Sequence, residues 1–362
     1  MRLTPNIIDR YIIRKFITTY FFALLLIIGI VIIFDISEKI DDFVSKEAPL
    51  RAIVVNYYFN FIPYFVNMFS PLFVFITVIF FTSKLAANSE IIAMLSGGIS
   101  FKRLMVPYLV SALVIAAFSL TLNLFVIPPA NKNRLIFEER YLKRSNPTYN
   151  RNIHFQLEPN LFIYMESFSN WNNSATRLTL ERFEGNRLVS KLSAEGAVWD
   201  STFMGWRLNN WFIRHIDGEV ERLEQGVRRD TILDLTAEEL KQRKGAVDAL
   251  NYFELNQEIA KLKMRGDDRV KLAQIQKNTR FAVPFSAFIL TLMGVSLSSK
   301  KRRGGIGLNI GIGIALSFTY ILFLRFSEMF VHGDVLTPDI ALWLPNILFA
   351  VVAFVLYRIA PK

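Results

Sequence analysis

Six apolar runs, each long enough to cross a bilayer, constrain this chain more than anything else in it. They are roughly Phe16 to Phe34, Tyr58 to Thr82, Leu104 to Ile127, Phe281 to Leu297, Ile306 to Phe326 and Ile340 to Leu356. About 20 apolar residues are needed to span the hydrocarbon core as a helix. Inside lipid the backbone must satisfy its own hydrogen bonds, so the runs are expected as helices. The composition agrees: 52% of the 362 residues are hydrophobic and 33 are Phe. The formal charge of +11 is not read as nucleic-acid affinity. Many of the basic residues flank apolar runs, where positive-inside anchoring accounts for them. Arg2, Arg10, Arg14 and Lys15 precede the first run. That run is long and lacks a small-residue cleavage site, so it is read as a retained span.

Short-loop charge sets the orientation. The N-terminus, the loop with Lys84, Lys102 and Arg103, the loop Lys300 to Arg303, and the end with Arg358 and Lys362 all fall on one side. That side is assigned as cytoplasmic, with both termini inside. The opposite loops are acidic on balance: Asp35, Glu38, Asp41, Asp42 and Glu47 after the first span, and Glu328, Asp334 and Asp339 after the fifth.

Three regions follow. Residues 1–127 hold spans one to three, 128–279 a polar outer domain, and 280–362 spans four to six. Within the outer domain, about 152–235 reads as β. Leu178 and Leu180 alternate with polar neighbours, Gly185-Asn186 makes a turn, and Trp206 and Leu208 continue the alternation. Such strands suggest a sandwich or jellyroll, with Trp199, Trp206 and Trp211 as core or interface residues. About 237–279 reads as helix. Leu255, Ile259 and Leu262 recur at helical spacing, Gly266 ends that segment, and a short helix from Val270 to Asn278 leads into span four. The expected fold is therefore an α-helical membrane protein with six transmembrane helices and an inserted jellyroll-like β domain outside.

Between spans two and three lies SKLAANSEIIAMLSGGISFKR, Ser83 to Arg103. Asn88 or Ser89 is expected to cap a short helix over about 88–98. Glu90 falls in its first turn, where the helix dipole favours negative charge. Ile91, Ile92, Met94 and Leu95 give it an apolar face, and Gly97 and Gly98 stop it. It is either an ordinary helical loop or a coupling helix pushed on by a cytoplasmic partner. Ser89, Glu90, Ile91, Met94, Leu95 and Gly97 are the residues at stake.

Other chemistries can be set aside. No G-x-x-x-x-G-K-[ST] occurs, so nucleotide is not bound by that route. There is no cysteine, and His154, His215 and His332 form no ligand-spaced pair. No metal or cofactor is expected. Asp41-Asp42 and Asp267-Asp268 are expected in solvated turns. In span five Gly307, Gly311 and Ala315 form a small-x-x-x-small row, which lets another helix approach closely. Its use is either intrachain packing or a seam with a partner. Lys39, Lys132 and Arg134 lie just outside spans one and three, against the inside-positive trend. They are a solvated rim or a phosphate-binding group for an anionic lipid.

The chain resembles the lipopolysaccharide-export permeases of the LptF/LptG type along essentially its whole length. The resemblance rests on D-R-Y-I at Asp9 to Ile12, on N-S-E-I-I-A-M-L-S-G-G-I-S, and on P-P-A-N-K-N-R after span three. It also rests on the stretch from Leu255 through Lys263 and Gly266 to Arg280, Pro284 and Gly294, and on the basic loop at Lys300 to Arg303. Phe34-Asp35 stands where one paralogue carries a lysine, so the resemblance does not separate the two paralogues. It implies an inner-membrane permease, not itself an enzyme, paired with a homologous permease subunit. It further implies a cytoplasmic ABC ATPase dimer docked on the coupling helices. A periplasmic bridge protein would receive lipopolysaccharide from the outer domains, and no nucleic acid is involved. Two rivals come from other classes. A stand-alone secondary transporter would want ionisable groups and broken helices at mid-membrane. A membrane protein that only displays its outer domain would need no capped helix inside.

Overall fold

The structure, a computed structural model, describes residues 6–142, 149–218, 220–241, 245–300 and 305–360. The basic loop at Lys301 to Arg303 lies outside the described residues. The chain divides into two compact units: Met1–Leu142 with Val247–Leu255 and Lys271–Lys362, and Lys143–Ala246 with Asn256–Val270. The region expected as one outer domain, 128–279, is thus shared between them.

The first unit is helical. In chain order it holds α1 (Ile7–Ser45), the short α2 (Leu50–Ala52), α3 (Phe59–Ala87), α4 (Glu90–Ser96), α5 (Phe101–Thr121) and α6 (Ile127–Tyr141). Among the described residues, six helical stretches are long and apolar enough to cross a membrane, and they match the six expected spans. Each overruns its expected limits. In α1 the backbone N–H of Asn6 donates to the Asp9 carboxylate at 3.0 Å. That helix continues through Asp41 and Asp42, so these acids are helical and not in a turn. Pro128-Pro129 does not break the third stretch either. A π-helical segment, Leu122–Val126, precedes α6, and the two prolines occupy the first turn of α6. The two prolines cannot donate within the stretch, and the π turn just before them is where the hydrogen-bond register changes. A second π segment, Ile53–Tyr58, joins α2 to α3.

The second unit opens with six strands: β1 (Tyr149–Glu158), β2 (Leu161–Ser169), β3 (Ser174–Glu184), β4 (Arg187–Asp200), β5 (Gly205–Asp217) and β6 (Val220–Thr231). They form one antiparallel sheet paired in chain order. Gly185, at φ +63°, supplies the expected turn between β3 and β4. The sheet is strongly curled. Phe168 on β2 and Trp206 on β5 are both fully buried, with ring centroids 6.2 Å apart. In a flat sheet three interstrand spacings would hold those strands about 14 Å apart. Curling brings the inward faces of β1 to β5 into one core, which gives the unit its jellyroll-like character. Trp206 donates to the Leu235 carbonyl at 2.7 Å, and Leu235, Ala237 and Leu240 join that core. Trp199 packs edge-on against Trp206, with centroids 5.5 Å apart.

The short α7 (Ala237–Leu240) carries Glu239, which accepts from Lys261 at 2.8 Å and from Arg265 at 2.6 Å. Those two cations lie on α8 (Tyr252–Arg265). Burial pushes the Glu239 pKa up, but the hydrogen bonds from Lys261 and Arg265 outweigh it, and the net shift is downward. A lowered carboxylate contributes stability above its unfolded pKa and loses it as pH falls through the folded value. The unit should therefore weaken from about pH 5 downward. Glu239→Gln should flatten that part of the acid slope. Tryptophan fluorescence of the full chain in detergent reports it, because Trp171, Trp199, Trp206 and Trp211 all lie in this unit. An unchanged slope in the variant would assign the acid sensitivity elsewhere.

The remaining helices are α9 (Arg269–Ser298), α10 (Gly305–His332) and α11 (Pro338–Ile359). The expected short helix before span four is part of α9, because no glycine or proline interrupts the chain between Val270 and Phe281. In the first unit the core gathers Phe16, Tyr20, Phe75, Tyr108, Met293 and Tyr320. Several of the polar side chains inside it are paired, which offsets the cost of burying them. The Tyr20 and Ser70 hydroxyls are 2.6 Å apart, Thr82 donates to Tyr108 at 3.1 Å, and Tyr320 donates to Asn346 at 3.0 Å.

Candidate functional site

The stretch between spans two and three folds as the short helix α4, held at both ends. It does not start as expected. Ser89 occupies the cap position at φ +60°, and its side chain accepts no cap hydrogen bond. Only two residues separate α3 from α4, and the chain turns between them by placing Ser89 in the left-handed region. Asn88 instead donates to Glu90 Oε1 at 3.1 Å. The C-terminal end closes as a Schellman motif. Gly98, at φ +88°, donates to the Leu95 carbonyl and Ile99 to the Met94 carbonyl, both at 3.1 Å. Gly97 is the C-cap.

The sequence-predicted residues divide by face. Ile91 is 1% exposed and belongs to the bundle core. Met94 and Leu95 are half-buried against the same core. Ile92 is 50% exposed, beside exposed Ala93, Ser96 and Gly97. Ile91 is thus a packing residue, and Ile92 is the apolar side chain of α4 open to another molecule.

Two contacts that spacing could not reveal fix this region: one ties α4 to α1, and the other ties α5, which follows α4, to α1. Tyr11 of α1 donates to Glu90 Oε2 at 3.4 Å. Arg103, in the first turn of α5, donates to both Asp9 oxygens at 2.8 and 2.6 Å. Ser100 caps α5 by accepting from the Arg103 N–H at 3.3 Å. A shallow groove beside α4 is lined by Ile7, Ile8, Tyr11, Glu90, Ala93 and Met94.

Two of the three outer cations are paired with carboxylates. Lys39 is bonded to Asp35 and to the Tyr57 hydroxyl, and Tyr58 also donates to Asp35, at 3.1 Å. Arg134 lies 3.3 Å from Glu138 and over the Tyr64 ring at 5.2 Å. Lys132 is exposed. The partners Asp35 and Glu138 sit four residues away on the same helix, a spacing the sequence does carry.

In α10 the small-residue row is open. A methyl group added at Gly307 or Gly311 would meet nothing within 4 Å, and Ala315 is exposed. Close helix packing inside the chain uses other glycines. A Cβ at Gly294 would come within 2.9 Å of Val78, and one at Gly313 within 2.5 Å of Ile79.

The molecule thus combines six membrane-length helices, a curled β unit inserted between the third and fourth, and a clamped short helix between the second and third. A family described as lipopolysaccharide export system permease LptF/LptG matches residues 10–359. The chain belongs to this family. A search of curated proteins finds no match. The match covers nearly the whole chain, so both compact units and all six spans are the permease's own. The permease is a multi-pass membrane transport subunit for lipopolysaccharide export.

Proposed function

We propose that this permease is half of the membrane part of an ABC exporter. It would take lipopolysaccharide from the inner membrane, with ATP hydrolysed on a separate cytoplasmic ATPase. The observation that carries this is α4. It is a two-turn helix clamped at both ends, with its inward face sunk in the bundle core and Ile92 turned outward. A rod of that kind passes a push from a partner into α1, α3 and α5. The basic loops support placing α4 and both termini in the cytoplasm and the β unit in the periplasm. The open row at Gly307, Gly311 and Ala315 supports a seam with a homologous permease. The sheet ends at β1 and β6, whose outer edges suit strand addition by a bridge protein.

The outer cations take a reduced part. Lys39 and Arg134 are each neutralised by a carboxylate, which leaves Lys132 as the group open to an approaching phosphate. Lys132→Glu should reduce lipopolysaccharide-stimulated turnover about two- to threefold, because an exposed contact of this kind is worth up to about 1 kcal/mol. Changing Lys39, Lys132 and Arg134 together to acidic residues should be severe. If the triple variant matches wild type at low salt, the three are a solvated rim. A photo-reactive residue at position 92 tests the proposal as a whole. It should trap an ABC ATPase, while probes along β1 and β6 trap lipopolysaccharide or a β-rich partner. Trapping of a periplasmic protein from position 92 would reverse the topology and defeat the proposal.

A further inference from the structure

At the opposite end of the bundle from α4, a cavity of about 240 Å³ lies among α3, α6, α9 and α10. Its lining belongs entirely to the first compact unit. Met68, Ile127, Ile275 and Leu324 give it apolar walls. Its polar lining is less ordinary. Arg280 is 4% exposed, its Nη2 donates to the Leu250 carbonyl at 2.6 Å, and its Nη1 is buried without a partner among the described residues. Asp248 lines the same cavity, and its carboxylate makes no hydrogen bond or ion pair among the described residues. Asn131 is fully buried, and its Oδ1 has no donor among the described residues.

The neighbouring charges are already matched. Arg134 lies against Glu138, and Arg325 donates to Glu328 at 2.9 Å. What remains is one cation, Arg280, and one anion, Asp248, on the same cavity: they attract each other through space, and Asp248 also feels Arg134 and Arg325, but no direct hydrogen bond or ion pair joins Asp248 to any of them among the described residues. Buried charges are costly unless paired. A simple anion would serve Arg280 and leave Asp248 worse off, and a simple cation would do the reverse. Asn131 Oδ1 adds a second acceptor to the Asp248 side. The π segment Leu122–Val126 delivers Asn123 to the wall, and irregular helix of this kind is frequent at functional sites.

We propose that this cavity binds a zwitterionic headgroup carrying a phosphate and a primary amine a few bonds apart. The phosphate would accept from Arg280 Nη1, and the ammonium would donate to Asp248 and Asn131 Oδ1. The site lies inside one subunit and does not depend on pairing or on the ATPase. Its ligand can come from a membrane phospholipid or from a soluble phosphoamine.

The test uses the full chain in detergent, with O-phosphoethanolamine, inorganic phosphate and ethanolamine as separate probes in calorimetric titration. O-phosphoethanolamine should bind at least tenfold more tightly than either fragment. Asp248→Asn should remove that advantage and leave phosphate binding as tight as in wild type or tighter, since an anion on the same cavity is gone. Arg280→Gln should weaken both phosphate compounds tenfold or more. Should Arg280→Gln fail to fold, Asp248→Asn alone decides, because it alters the amine pole and leaves Arg280 in place. In nanodiscs, mass spectrometry should then separate the sources. Phosphatidylethanolamine retained by wild type and lost from Asp248→Asn, with no binding of the soluble compound, assigns a lipid. Phosphate binding as tightly as O-phosphoethanolamine overturns the proposal, as does a selectivity that Asp248→Asn does not change, or binding from neither source.

Discussion

Ile92→Asp should abolish the proposed docking of an ATPase on α4 and leave the fold intact. The side chain is half exposed on a helix fixed at both ends. Burying the rest of it against a partner contributes on the order of 1 kcal/mol. Placing a carboxylate there adds a desolvation cost of about 1–3 kcal/mol. Each 1.4 kcal/mol or so is tenfold in affinity, so copurified ATPase and lipopolysaccharide-stimulated hydrolysis should both fall at least tenfold. The neighbouring position gives the contrast. Ile91 is 1% exposed in the bundle core, and Ile91→Ala should cost about 2–5 kcal/mol of fold stability. That variant should melt earlier yet keep its ATPase per folded molecule. Wild-type copurification with Ile92→Asp would remove α4 from the contact.

Two glycines should separate folding from assembly just as sharply. A methyl group added at Gly294 would lie 2.9 Å from Val78 and 3.2 Å from Phe75, and both neighbours are fully buried. Overpacking by even a methylene or two typically costs 1–3 kcal/mol or so. A leucine has four carbons to place there, so Gly294→Leu should prevent stable accumulation in the membrane. Gly313 is more forgiving, since the atom it approaches is the flexible tip of Ile79. Gly311 has open space beside it, so Gly311→Leu should fold and melt like wild type. It should, however, hold a partner helix away and lose pairing with a second permease on size-exclusion chromatography. Wild-type pairing in Gly311→Leu would move the seam to another face, and wild-type stability in Gly294→Leu would contradict the packing.

Much of the fold is legible in the sequence. Bilayer-length apolar runs account for the six membrane-length helices among the described residues. Alternation from Leu178 to Leu208 announces strands. What is not legible depends on faces and on distant partners. Nothing local says that Ile91 turns in and Ile92 out, since both fit a helical apolar stripe. Asp9 and Arg103 are 94 residues apart, and only the bundle makes them a pair. The curl that brings Phe168 to Trp206 is set by how the sheet closes over its core, not by the period of any strand. Pro128-Pro129 reads as a boundary because a proline usually ends a helix, but a π segment just before the pair lets the helix resume. Asp35 and Glu138 are readable as i,i+4 partners of Lys39 and Arg134, and they temper the phosphate role.

Whether this permease needs an ATPase to move lipopolysaccharide decides between an ABC exporter subunit and its rivals. The direct measurement is lipopolysaccharide release from vesicles, compared between the permease with its copurified partners and the permease alone. Release should require ATP and the partners, and the permease alone should be inactive. Release by the permease alone, driven by an ion gradient without ATP, would make it a secondary transporter and contradict the role given to α4.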